Sequence, residues 1–169
     1  MVKIIQFFWQ PHIFGLGISA FCVAALAAAF TAEHVFDLKP CILCIYQRFP
    51  FAINAILGLV IYKLARKEHY KGTAFMLLIA GLVFLVNSAL AFYHTGVEQL
   101  WWESALEGCK FDPSSIRSAV YEPPVPCNEI PWQDPVIGLS MASWNVIVCG
   151  IAGIKTVIAS IAAKKKITA

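Results

Sequence analysis

The sequence is poor in charge. Of its 169 residues only 14% are Asp, Glu, Lys or Arg, while 59% are apolar; soluble domains carry about 25% charged residues. A chain so depleted cannot clothe a globular surface in water, which excludes a soluble domain and leaves lipid as the solvent. Thirteen basic and ten acidic residues sum to a formal charge of only +3, which gives no reason to invoke nucleic acid. Charge is also missing from particular places. Residues 13–32, 72–93 and 136–154 contain none, and residues 41–62 contain one, Arg48. A helix needs about 20 apolar residues to cross about 30 Å of hydrocarbon, and each run is about that long. In lipid every backbone group must be satisfied internally, so these runs read as helices rather than strands. The expected architecture is an all-α membrane protein. It is a four-transmembrane-helix bundle in one integral domain, with helices over about 13–32, 41–62, 72–93 and 136–160 and a long loop over 94–135.

The few charges there are set an orientation. Lys3 lies at the N-terminus, Lys63, Arg66, Lys67 and Lys71 lie between the second and third runs, and Lys164, Lys165 and Lys166 lie near the C-terminus. The 94–135 loop instead holds seven acids (Glu98, Glu103, Glu107, Asp112, Glu122, Glu129 and Asp134) against Lys110 and Arg117. Lysine and arginine collect on the cytoplasmic side, so both termini are expected inside and the other two loops outside. Lys3 and Ala27–Ala29 fit a cleaved signal peptide loosely, but the apolar run is long for one. A retained first helix is the expectation.

Of six cysteines, Cys22 and Cys149 fall mid-helix, while Cys41, Cys44, Cys109 and Cys127 fall at or beyond the outer surface. Four outward cysteines allow three disulfide pairings. Cys41-Ile42-Leu43-Cys44 is a C-x-x-C, so Cys109 and Cys127 are left for each other. Structural staples are one reading, but a ring closed over two residues gains little loop-closure entropy. C-x-x-C is more often redox-active or metal-binding. A zinc site made of all four cysteines is disfavoured by the loose spacing of the second pair. Pro40 suits a first helical turn, which puts Cys41 and Cys44 in the first turn of the second helix. Free amides and the helix dipole there favour a thiolate, the attacking species in disulfide exchange.

Arg48 continues the stripe of Cys41 and Cys44 at i, i+3, i+7. A charge inside a membrane helix is costly and usually functional, although a snorkelling arginine is the bland alternative. Below a C-x-x-C it is expected to stabilise the Cys44 thiolate and to hold a carbonyl oxygen of an electron acceptor, with Gln47 as a second donor. Pro50 removes an amide and is expected to kink the helix. His94, at the outer end of the third helix, is a candidate lining residue of the acceptor pocket; Tyr93 reads as an interfacial belt residue. Val97, Leu100, Trp101 and Ala105 recur at helical spacing and predict a short amphipathic interfacial helix. Beyond Gly108, five prolines up to Pro131 argue against regular structure.

Together, Pro40-Cys41-Ile42-Leu43-Cys44-Ile45-Tyr46-Gln47-Arg48, Tyr93-His94-Thr95-Gly96-Val97-Glu98 and the 138–145 segment Gly-Leu-Ser-Met-Ala-Ser-Trp-Asn resemble the DsbB family of bacterial disulfide-forming membrane proteins. The resemblance spans nearly the whole chain and departs from the family at Cys22 and Cys149, read here as core thiols. It implies a protein-dithiol:quinone oxidoreductase of the bacterial inner membrane with its cysteine loops in the periplasm. A reduced DsbA-like thioredoxin-fold oxidase would attack a Cys109–Cys127 disulfide at Cys109. Cys127 would exchange with Cys41 of Cys41–Cys44, and Cys44 would donate to ubiquinone or menaquinone held by Arg48. DsbA-type partners lie near about −120 mV, so a stronger oxidant is required. Two other classes share parts of this pattern. A vitamin-K-epoxide-reductase-like enzyme shares the chemistry, and a structural four-span scaffold shares the topology without accounting for C-x-x-C above Arg48.

Overall fold

A computed structural model describes residues 10–106, 109 and 125–168, with side chains as far as residue 164. The four apolar runs are four helices: α1 (Pro11–His34), α2 (Ile42–Arg66), α3 (Tyr70–Glu98) and α4 (Met141–Thr168). Each is long and apolar enough to cross a membrane. Their outward faces carry exposed Phe30, Ile53, Ile56, Leu82, Val86 and Ile151, a surface that needs lipid rather than water around it. The interior packs Cys22, Ile61, Leu77, Phe84 and Cys149.

Two helix pairs form by close backbone approach. A Cβ on Gly58 would stand 2.6 Å from the Gly15 carbonyl oxygen and 2.7 Å from the Ser19 amide, which fixes the α1–α2 crossing. Gly81 and Gly153 do the same for α3–α4, where a Cβ on Gly153 would stand 3.1 Å from the Gly81 carbonyl oxygen. Apolar burial gives little drive between helices already in lipid, so small residues that admit van der Waals contact supply the association. α2 also packs on α3, whereas α1 and α4 are not closely packed. That gap matters below.

Several element ends differ from those read in the sequence. α2 begins at Ile42, so Cys41 is its N-cap in extended conformation (φ −73°, ψ 170°) rather than a residue of the first turn. The helix runs through Pro50 without interruption. α3 ends at Glu98 rather than 93. It is closed by a Schellman arrangement in which Trp101 N–H donates to Gly96 O at 2.9 Å and Leu100 N–H to Val97 O at 3.2 Å, with Leu100 at φ 58°. This closure also corrects the short interfacial helix expected from Val97. Val97 and Glu98 complete α3, and residues 99–106 form turns and bends. The apolar spacing there reflects a chain folded back on α3: Trp102 stacks on Tyr93 at 6.2 Å and donates to its carbonyl oxygen at 3.1 Å. Residues 107–108 and 110–124 of the loop lie outside the described residues. α4 starts at Met141 rather than 136. The Asp134 carboxylate accepts the amides of Val136 and Ile137, Gly138 takes φ 70°, and Gln133 bridges Ser140. Residues 136–140 are therefore spent on a turn despite their apolar character.

Candidate thiol redox site

The site forms where the N-terminus of α2 meets the C-terminal turns of α3. As N-cap, Cys41 turns its sulfur back over the helix, where Sγ accepts the Cys44 amide at 3.3 Å. Side-chain acceptors at this position satisfy one of the orphan amides of the first turn. The Cys44 Sγ is 3.0 Å from the Cys41 Sγ, and both are free thiols. Cys41 is buried and Cys44 half-buried. The hydrogen bond from the Cys44 thiol, opposed by burial and seconded by His94, holds the Cys41 thiol well below the ordinary cysteine range. Cys41 is thus the thiolate of the pair. The sequence reading placed the thiolate-stabilising arginine by Cys44; the structure places the stabilising contacts on Cys41.

His94 is the second contact. Its Nε2 lies 3.4 Å from Cys41 Sγ, and its Nδ1 lies 2.9 Å from Gln47 Nε2. Gln47 therefore orients the imidazole, and its own Oε1 accepts from Asn145 Nδ2 on α4. Behind the ring stands Glu98, which is 7% exposed. Its Oε1 is 3.7 Å from His94 Nε2, and its Oε2 accepts the Ser140 hydroxyl. A carboxylate this buried is expensive unless it is bonded, and carboxyls retained in such places are frequently functional. Cys109 and Cys127 are joined in a disulfide and pack with Cys41, Leu43 and Val97 in one buried cluster. With their sulfurs bonded to each other, Cys109 and Cys127 do not join Cys41 and Cys44 as metal ligands in this arrangement.

Arg48 follows Cys44 by four residues on α2. Its guanidinium pairs with Glu33 at 2.5 Å and lies 4.9 Å above the Phe30 ring, so α1 holds it in place. Cys44, Gln47, Arg48, His94 and Glu98 all line one end of a cavity of about 450 Å³. Lys39 and Asn145 line it too, and the rest of its wall is largely apolar. Ala25, Ala28, Ala29 and Ala32 recur along one face of α1, and their small side chains leave the space between α1 and α4 unfilled. Such a cleft, apolar with convergent polar groups at one end, is the ordinary form of a small-molecule site.

All seven residues singled out in the sequence thus meet at one end of the bundle: Cys41, Cys44, Cys109, Cys127, Gln47, Arg48 and His94. The sequence reading missed Glu98, Glu33, Asn145 and Ser140. In the sequence Glu98 falls among the loop acids because the apolar run stops at residue 93, although its i, i+4 spacing from His94 is a usable signal. Glu33 had none: only the α1–α2 crossing brings it to Arg48.

Residues 11–159 match the family described as disulfide bond formation protein DsbB. Among curated proteins, the chain is 30% identical over 135 residues to the disulfide bond formation protein B of Xylella fastidiosa, covering 75% of this chain and 76% of the relative. It is 27% identical over 156 residues to that of Polaromonas naphthalenivorans, covering 85% and 89%. It is 26% identical over 151 residues to that of an Azoarcus strain, covering 82% and 86%. No solved structure matches significantly. With four spanning helices and a close thiol pair at the head of the second, the chain belongs to the DsbB family of disulfide bond formation proteins.

Proposed function

We propose that this protein is a protein-dithiol:quinone oxidoreductase of the bacterial inner membrane. It oxidises a periplasmic DsbA-like dithiol partner through Cys109–Cys127 and then Cys41–Cys44, and it passes two electrons to ubiquinone or menaquinone. The observation that carries this reading is the placement of Cys41 and Cys44 between two things. On one side they share a buried cluster with the Cys109–Cys127 disulfide; on the other, Cys44 borders the apolar cleft between α1 and α4.

The steps balance as dithiol–disulfide exchanges. A partner thiolate attacks Cys109, breaking its bond to Cys127, and the second partner thiol resolves the mixed disulfide. The partner leaves oxidised, and Cys109 and Cys127 are left as thiols. Cys127 then attacks Cys41 of an oxidised Cys41–Cys44 pair, and Cys109 closes on Cys127. The product is a Cys109–Cys127 disulfide with Cys41 and Cys44 reduced, which is the arrangement of sulfurs described above. Here the Cys41 thiolate is stabilised by the Cys44 amide and His94. Re-forming the bond from the Cys41 thiolate and the Cys44 thiol releases two electrons and one proton, the Cys41 proton having left when the thiolate formed.

The quinone supplies the oxidising power. The residues of the cleft fit such a molecule: an apolar slot suits a flat ring with an isoprenoid tail, and Arg48 and Gln47 offer N–H donors at the end where Cys44 stands. The Glu98 carboxylate stands beside His94 Nε2 and lines the same cleft, so it can hold a proton released there, while His94 Nε2 faces Cys41 Sγ as a donor. The Arg48–Glu33 pair keeps the guanidinium at the cleft instead of letting it snorkel to the headgroups.

Trapping tests the relay. With Cys109→Ser, so that Cys127 has no partner to close on, a Cys127–Cys41 mixed disulfide should accumulate and be seen by peptide mass spectrometry under oxidising conditions. Cross-links joining Cys127 only to Cys22 or Cys149 would overturn the order of transfer.

A further inference from the structure

Two buried side chains near the middle of the bundle have no part in the reaction as described, Cys149 on α4 and Asn87 on α3. Both are fully buried. Asn87 Nδ2 donates to Cys149 Sγ at 3.5 Å, while Asn87 Oδ1 has no partner among the described residues. An amide buried at the expense of an orphaned oxygen is poorly explained as packing. What it does accomplish is to occupy the Cys149 sulfur as an acceptor, leaving the Cys149 S–H to donate to Asn145 Oδ1 at 2.9 Å. Asn145 Nδ2 in turn donates to Gln47 Oε1. That leaves Gln47 Nε2 facing His94 Nδ1 at 2.9 Å. Every bond in this series points the same way, from the membrane interior to the imidazole.

We propose that Cys149 is a positioning residue for the thiol chemistry: its S–H sets the direction of the hydrogen-bond chain through Asn145 and Gln47, which keeps the His94 ring proton on Nε2, facing Cys41. Direction is the point, because a chain of side-chain amides can run either way. Reversed, Gln47 would turn its oxygen to His94, the ring proton would move to Nδ1, and Nε2 would present a bare lone pair. The groups around Nε2 are acceptors: the Cys41 sulfur at 3.4 Å and Glu98 Oε1 at 3.7 Å. A lone pair there would face two others. With the proton on Nε2, the neutral ring donates to the Cys41 thiolate. A hydroxyl in place of the thiol keeps one donor and its acceptor lone pairs, so serine should preserve the direction. Alanine removes the donor and frees Asn145 and Gln47 to turn together.

This inference rests on Cys41 being the reactive thiol of the proposed oxidase, and it can be tested without partner or quinone. The titratable and charged groups around Cys41 are Cys44 from α2 and His94 and Glu98 from α3, with Lys39 of the α1–α2 connection, Arg48 and its partner Glu33 along the cleft. All are left unchanged in the test. Full-length protein carrying Cys109→Ser and Cys127→Ser is reduced in detergent, and alkylation of Cys41 by iodoacetamide is followed against pH by peptide mass spectrometry. With Cys149→Ala the pH midpoint should move up by about one unit, the worth of one hydrogen bond to a charged group, so the rate on the acid side of the parental midpoint should fall about tenfold while the rate at neutral pH changes little. Cys149→Ser should retain the parental profile. Asn145→Ala should match Cys149→Ala, and the double variant should be no worse than either, since both act through one chain. An unchanged midpoint in Cys149→Ala and in Asn145→Ala, whatever their thermal stability, overturns the proposal. Equal loss in Cys149→Ser and Cys149→Ala does so too, because it reports packing. A shifted midpoint in a protein that fails to reduce quinone would leave the chain standing and sink the oxidase reading.

Discussion

Glu98 is the residue whose role the account changes most. Buried against Ser140 and His94, it has the placement of a proton holder. Glu98→Gln should therefore lower the rate of quinone reduction by about a hundredfold, at the low end of general acid–base effects, with partner exchange at Cys109–Cys127 preserved. Stopped-flow quinone absorbance alongside a partner-thiol assay separates the two. Arg48→Lys should keep the ion pair with Glu33 but lose the planar fork, raising the apparent KM for quinone about tenfold, the worth of one charge-assisted hydrogen bond. A changed KM for the partner instead would make Arg48 structural. At Cys41 the lowered thiol pKa has a definite sign. The thiolate is present above that value, so alkylation of Cys41 in the reduced protein should stay fast well below the pH at which an ordinary thiol, near about 8.5, is protonated. A rate that falls off at the same pH as free cysteine would contradict the N-cap and His94 contacts. Which residues mattered was legible where the chemistry is local: C-x-x-C with Arg48 two turns on states itself. Glu33, Asn145 and Ser140 were not legible, because their roles exist only once α1, α2 and α4 have packed.

At the scale of elements, all four helices were readable, since hydrocarbon thickness and the scarcity of charge leave few alternatives. Their ends were less readable. α3 stops at a left-handed Leu100 with no glycine to announce it, and α4 starts late because Asp134 captures two amides of an apolar stretch. The cleft was also invisible, since it follows from alanines on α1 facing an α4 that packs on α3 and not on α1. The glycine contacts make a prediction here. Gly58→Ala forces a methyl against the Gly15 carbonyl and the Ser19 amide, a backbone that cannot step aside. It should cost about 1–3 kcal/mol by overpacking, seen as a lower unfolding temperature in detergent, whereas Gly17→Ala, with open space around it, should be neutral. Equal effects at both positions would remove close approach as the basis of the α1–α2 pair.

For the whole molecule, the proposed orientation puts the cysteine-bearing end in the periplasm and the lysine-rich ends in the cytoplasm. Reporter fusions after Arg66 and at the C-terminus should report cytoplasm, and one at Asp112 should report periplasm; a cytoplasmic signal at Asp112 would put the thiols in a reducing compartment. The central claim is that one bundle couples exchange at Cys109–Cys127 to reduction of a quinone in the cleft beside Cys44. Its most direct test combines purified protein, a reduced DsbA-like partner and ubiquinone, with quinone absorbance and partner thiols followed together. The account predicts catalytic turnover with one quinone reduced per partner disulfide formed, lost in Cys41→Ser, Cys44→Ser, Cys109→Ser and Cys127→Ser and retained in Cys22→Ser and Cys149→Ser. Partner oxidation that proceeds without quinone reduction, or quinone reduction that survives loss of Cys44, would contradict it.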